Sequence, residues 1–540
     1  MTGRRQRAGF ALFALVLAGC GAAPDEAVRG TPGFVQGFYG GVAADEPRAV
    51  LVGRDILTAG GNAVDAAAGV YFALSVTLPS SAGLAGGGTC VVYDHRSNRT
   101  EALDFLARPT AAVPAGSDRP TAIPGNPRGF FVLHAKYGQL RWEQVVAPAE
   151  NLARFGIPVS RAFSRDLTGY AGALAAEPAT RRLLAADGGG LVKEGDFLRQ
   201  AELAGILGRL RSQGPGELYV GQTARALVTA TAAAGGSLSL EDLRAYAPIW
   251  RDTVRLPFGN EIAHFAPPPA AAGAVAAEMW AQLAETGRYR GNDLALRAHA
   301  VAESAMRAYA DRGQWMAPDG SSRVPLAELT ASVRVSQMMA GWRDDRHTPA
   351  AELKPPPVDR PEAAGATAFV AVDRTGSAVA CAVTLNNLFG TGRVAEGTGM
   401  LLAARPDDGG RGAISLGPVL VINENSKEFR FAAAASGGET APTALVQVGM
   451  AAMAAQMPLE QAVAQPRLHH RGVPDLAYYE QSMDRGVLDG LLARGYSIAP
   501  THSLGLVNAI YCPLGLPTKP DSCAVANDPR GAGLAASADR

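Results

Sequence analysis

Neither sign of charge is in excess in this sequence: fifty lysines and arginines stand against fifty aspartates and glutamates, and no long run carries a single sign. Binding a polyanion takes a concentrated basic region, so nucleic acid is excluded as an expected partner and a small molecule is favoured. Cysteine is scarce, with five in 540 residues, and none has close histidine neighbours at a metal-ligand spacing, so no structural zinc site is expected. The N-terminal apolar stretch, Ala8 to Leu17, is shorter than the roughly 20 apolar residues a bilayer-spanning helix needs. What remains is 47% hydrophobic residues with 63 glycines, the composition of a compact globule. The length suits two to four ordinary domains or one large layered one.

The first residues, "MTGRRQRAGFALFALVLAGC", combine an arginine-bearing start, an apolar stretch and small residues before Cys20. That is the form of an export signal. Leu17, Ala18, Gly19 and Cys20 resemble the lipobox of bacterial lipoproteins, in which the chain is cut before a cysteine that is then lipidated. Residues 1–19 are therefore expected to be a lipoprotein signal peptide and 20–43 a tether, with attachment to the cell envelope through lipid. Gly21 suits sorting to an outer membrane, facing the periplasm. The alternative is a plain secretory signal with an incidental cysteine.

Setting Cys20 aside leaves four cysteines in a compartment that permits disulfides. Cys512 and Cys523 end two apolar runs, "LVNAIYC" and "CAVAND", around the loop "PLGLPTKPDS", and a bridge between them would staple a hairpin. Cys90 and Cys381 sit in strand-like runs and read as buried apolar residues. "ILTAGGNAVDAAAGVYFALSV" places small and apolar residues at helical spacing after a glycine turn. "TCVVYDHRSNRTEALDF" reads as a hairpin. Helices dominate from Gly129 to about Leu283, and periodicity is lost in the proline-rich stretch from Gly341 to Ala364. Strands then prevail through Phe431, followed by a glycine turn, helices and a closing hairpin. This order fits a layered α+β fold, a four-layer αββα sandwich.

Eight motifs, in order, resemble the gamma-glutamyltransferase (gamma-glutamyltranspeptidase) family. They are "GGNAVDAA" from Gly60, "GLAGGGTCVVYD" from Gly83, "IPGNPRGF" from Ile123, "PPPAAAG" from Pro267, "LNNLFGTG" from Leu385, "GTGMLL" from Gly397, "PRLHH" from Pro466 and "NDPRG" from Asn527. The resemblance implies an N-terminal-nucleophile hydrolase fold, whose precursor cuts itself ahead of a threonine. That threonine then serves as nucleophile, with its own freed amino group as base. Residues 44–365 correspond to the large subunit and 366–540 to the small subunit of one continuous fold. No cofactor is implied, and the ligand would be a gamma-glutamyl-like amide such as glutathione.

Counting back from Asp373 puts Ala366 at the nucleophile, where the family carries two threonines and a histidine and this chain reads Ala366, Thr367, Ala368. Thr384 matches the threonine that supports the nucleophile, and Asn386 and Asp408 match residues at the substrate's amino end. Gly437 and Gly438 match the oxyanion-hole glycines. Leu106 stands where the family arginine grips the alpha-carboxylate, and Arg108, two residues on, would reach the same place and bind substrate if a one-residue deletion re-registers the loop. The carboxylate-holding serine pair becomes Ile414 and Ser415. His469 and His470 match a family pair that carries no metal. Two readings follow. One is an envelope enzyme that transfers or hydrolyses gamma-glutamyl amides with Thr367 as a re-registered nucleophile. The other is an uncleaved, non-catalytic relative that acts as a binding or structural lipoprotein. Strand alternation disfavours the first, because a one-residue shift turns a side chain to the opposite face.

Overall fold

The computed structural model describes residues 38–356, 365–406 and 415–539. Cys20, Asp408 and Ile414 lie outside the described residues. Two antiparallel sheets stack face to face. The first has seven strands, in the order Leu534–Asp539, Phe38–Ala44, Ala366–Asp373, Ala378–Thr384, Gly87–Asp94, Arg99–Phe105 and Ile249–Arg251. The second has six, in the order Ala524–Ala526, Leu506–Leu516, Glu428–Ser436, Val419–Asn423, Glu261–Phe265 and Val254–Phe258. Helices cover both outer faces, which makes the architecture a four-layer αββα sandwich.

Alternation in the central strand Ala366–Asp373 shows how the layers arise. Ala368, Val370 and Val372 join the core between the sheets, while Phe369 and Ala371 join the core beneath the first helical layer. The opposing strand Glu428–Ser436 does the same, with Ala432 and Ala434 inward and Phe431, Ala433 and Ala435 against the second helical layer. Strand side chains alternate with period two, so a strand covered on both faces reads as an unbroken apolar run.

The helix Ala63–Thr77 is buried along its whole length. Asn62 and Asp65 form a capping box at its start. The Ala63 N–H also donates to Asp373 Oδ2 at 3.0 Å, while Asp373 Oδ1 accepts from the N–H and hydroxyl of Thr375. One carboxylate thus ties the start of this helix to the end of the central strand and its turn.

Two disulfides are present. Cys512–Cys523 joins the arms of the closing hairpin. Cys90 and Cys381 are buried, as their apolar surroundings in the sequence suggest; they are directly opposed in the ladder between Gly87–Asp94 and Ala378–Thr384 and are joined across a sequence separation of 291. The closing hairpin also differs from its sequence reading. The strand runs on through Pro513 to Leu516, with an irregular register between Phe429 and Phe431 of its neighbour. A bulge is where a strand tolerates a residue without an N–H.

Candidate functional site

The family resemblance points to the start of the strand Ala366–Asp373. Ala366 is paired with Thr384, and the Thr384 hydroxyl donates to the Gly365 carbonyl oxygen at 2.7 Å. The same hydroxyl oxygen accepts from the Asn386 N–H at 2.9 Å. The carbonyl ahead of residue 366 is therefore already polarised by a fixed donor. Gly365 is pressed against neighbouring backbone, since a Cβ there would lie 2.6 Å from the Leu388 nitrogen. Asn386 adopts a φ of 66°, and its side-chain amide donates to the carbonyl of Ala404 at 2.8 Å.

Ala366 contributes only a methyl, on the face shared with Ala368 and Val370, and packs against the inter-sheet core. Leu106, at the expected arginine position, and Ala270, from "PPPAAAG", belong to that same core. Three positions where the family resemblance calls for polar groups thus meet in one apolar cluster. Arg108 is turned elsewhere. Its guanidinium donates to the Ala247 carbonyl at 3.3 Å, lies 3.7 Å from Asp104 and sits 5.4 Å from the centre of the Tyr246 ring.

Thr367 alternates to the side of Phe369, and its hydroxyl donates to Asp45 Oδ2 at 2.8 Å. Asp45 was not singled out from the sequence, although it is the first charged residue after the apolar run ending at Ala44. Its carboxylate also accepts from the Ala368 N–H at 3.1 Å and from Asn508 Nδ2 at 2.7 Å. The same Asn508 nitrogen donates to the Ala368 carbonyl at 2.9 Å, so it reaches from the second sheet to the first. Burial raises the Asp45 pKa against the lowering effect of the donors on Asn508, Ala368 and Thr367. Thr367 has 1% of its surface exposed.

The Ser436 hydroxyl lies 3.4 Å from Asp45, which brings the Gly437–Gly438 turn to the same end of the sandwich. Gly437 has a φ of 132° and Gly438 one of 64°, and a Cβ on Gly437 would lie 2.6 Å from the Gly505 Cα. Glycine is demanded there by conformation and by space. Ser415 is buried beside Leu416, itself part of the inter-sheet core.

His469 and His470 diverge. His469 Nδ1 bonds with the Thr443 hydroxyl at 3.0 Å, and burial, with His470 and Arg471 nearby, pushes its pKa down to about 3. His470, His347 and Asp475 bring one potential ligand atom each within 4.8 Å of one another. The Gly472 N–H donates to His470 Nδ1 at 3.1 Å, which leaves the ring proton on Nε2, facing Asp475 at 3.2 Å. His347 Nε2 faces the same oxygen at 2.9 Å. The trio is arranged as proton donors on a carboxylate, and a metal would have to displace that proton.

The family profile described as Gamma-glutamyltranspeptidase matches residues 49–538. The glutathione hydrolase proenzyme of Escherichia coli is 28% identical over 516 residues, covering 88% of each chain. A cephalosporin acylase from Bacillus halodurans shares the fold at a TM-score of 0.79 and 21% identity, covering 93% of this chain and 96% of that one. Helicobacter pylori gamma-glutamyltranspeptidase aligns with a TM-score of 0.54 at 26% identity, covering 60% of this chain and 96% of the chain compared. With the profile spanning nearly all of the described fold, this chain belongs to the gamma-glutamyltranspeptidase family.

Proposed function

We propose that this protein is an uncleaved, lipid-anchored member of the family, held at the cell envelope by Cys20, that keeps the scaffold and does not carry out gamma-glutamyl transfer. The observation that carries the reading is the apolar cluster of Ala366, Leu106 and Ala270 beside a carbonyl that Thr384 already polarises. The donor for self-cleavage is in place, while the attacking hydroxyl and the cation for an alpha-carboxylate are replaced by hydrocarbon. Loss of a nucleophile alone costs on the order of a million-fold in rate in a serine protease. Gly437, Gly438, Asn386 and Ser415 remain as backbone and polar elements for a small gamma-glutamyl-like ligand, with Asp408 as a further candidate.

Thr367 as a re-registered nucleophile is the competing reading, and the Asp45 carboxylate 2.8 Å from its hydroxyl is what favours it, since a nucleophile needs a base at that range. The decisive measurement is a denaturing gel of the mature protein, run with reductant, together with assay on a gamma-glutamyl anilide. One full-length band and no anilide turnover are expected. A fragment beginning at Thr367, lost along with activity in Thr367→Ala, would establish the enzyme. Metabolic labelling with a radioactive fatty acid is expected to mark the wild type and spare Cys20→Ala. Equal labelling of both would remove the anchor. Among the described residues no helix is long and apolar enough to cross a membrane.

A further inference from the structure

Several hairpin turns gather at one end of the sandwich, the end opposite Ala366. His95, in one of them, joins two others, with its N–H on the Ser377 hydroxyl at 3.2 Å and its ring on the Lys427 carbonyl at 2.9 Å. A Cβ on Gly376 would lie 2.7 Å from the Leu516 carbonyl oxygen, so the disulfide-stapled hairpin borders the same group. The chain enters the described body here as well. Gly40 pairs with Asp373, and the Tyr39 ring lies 5.9 Å from the Arg374 guanidinium.

These turns present Arg96, Arg374, Lys427 and Lys519, all exposed, and among the described residues none has a carboxylate ion-pair partner. The acids nearby are mostly engaged. Glu424 pairs with Arg255 and Glu428 with Arg430, while the half-buried Asp94 accepts from the N–H and hydroxyl of Ser97 and has no cation partner among the described residues. Asp521 is the exposed carboxylate that remains. Leu514 stands beside the cations with 59% of its surface exposed, on a hairpin arm stapled by Cys512–Cys523.

We propose that this turn-bearing end docks on an anionic phospholipid surface, with the cations on headgroup phosphates and Leu514 at the interface, so that the Ala366 end faces away from the membrane. The proposal rests on the lipid-anchor reading above. The lipid holds the chain at the membrane, and a cationic face on anionic headgroups would decide which end of the body meets it. The strand Ala366–Asp373 rises about 3.4 Å per residue, so roughly 24 Å separates the two ends.

The test uses the full-length protein in vesicles of phosphatidylglycerol and phosphatidylcholine, or of phosphatidylcholine alone, with amine acetylation read by mass spectrometry. Lys427 and Lys519 are expected to be protected in the anionic vesicles, while the exposed Lys193 and Lys354 react as they do in neutral ones. Each cation removed should weaken the docking about five-fold, so Arg96→Gln with Arg374→Gln lowers the protection about 25-fold in apparent affinity. Fatty-acid labelling of the same preparation reports the anchor separately. Labelled protein whose four lysines react alike in both vesicle types overturns the proposal. Unlabelled protein is still expected to show the protection at low salt and to lose it at high salt, and its absence there overturns the proposal too.

Discussion

Ala366→Thr should turn this chain into one that cuts itself. The substitution sets a hydroxyl beside the Gly365 carbon, and the carbonyl oxygen there already accepts from Thr384 at 2.7 Å. If the missing nucleophile is the whole defect, its return is worth on the order of a million-fold, or about 8 kcal/mol of barrier. The Thr384 donor acts as one element of an oxyanion hole, so adding Thr384→Val to Ala366→Thr should slow cleavage by about 10²–10³. The assay is a time course on a denaturing gel with reductant, which is required because Cys90–Cys381 joins the two halves, followed by N-terminal sequencing of the smaller product. A new terminus at residue 366 is the expected result. Turnover of a gamma-glutamyl anilide should stay absent until Leu106→Arg is added, because hydrocarbon occupies the carboxylate-binding position. A folded Ala366→Thr protein that stays intact over days would refute the claim that one missing hydroxyl silences processing.

Four further outcomes follow from the geometry. Thr367→Val removes one of the donors on a buried carboxylate and should cost about 1–3 kcal/mol in denaturant unfolding, with no effect on cleavage of the Ala366→Thr protein; cleavage that depended on Thr367 would contradict its structural role. Replacing Cys90 and Cys381 together by alanine should cost about 3–5 kcal/mol, and an unchanged melting midpoint would show the bridge to be dispensable. His347 has its pKa raised by Glu303 and Asp475 against the lowering effect of burial, so its stabilisation is complete below the unfolded value near 6.5 and lost as pH rises through the folded one; His347→Gln should therefore destabilise more at pH 6 than at pH 9. His469 has the opposite sign: its pKa of about 3 means stability falls as pH drops from about 6.5, and His469→Asn should flatten that acid limb.

Much of the fold is legible along the chain because it rests on local pattern. The helix Ala63–Thr77 follows from small residues after a glycine turn, and the hairpin around Asn98 from two apolar runs about a polar turn. What is not legible depends on partners far apart in sequence. Nothing local to Cys90 says that Cys381 will stand opposite it, because register between strands 291 residues apart is set by the stacked sheets. Arg108 reads in sequence as a stand-in for the missing arginine until Asp104 and Tyr246 are seen beside it. Asp45 is the sharpest case. It lies at the end of a strand with no motif of its own, and its role appears only when Thr367 from the neighbouring strand and Asn508 from the other sheet arrive at its two oxygens. The stop of the helix Gln222–Ala233 is equally local: Gly235, at a φ of 74°, follows the cap residue Ala234, with its N–H on the Ala232 carbonyl and the Gly236 N–H on that of Thr231.

The bridge between Cys90 and Cys381 separates two questions that a self-cutting protein ordinarily answers together: whether the backbone is broken, and whether the pieces remain one particle. In an oxidising compartment a break anywhere between those cysteines leaves a single covalent molecule, so loss or recovery of the cut at Gly365 would go unnoticed by anything that senses only mass or partnership. Under reducing conditions the same break would leave non-covalent packing to keep the halves together. Two covalent molecules arise only where the backbone is cut and the surroundings are reducing.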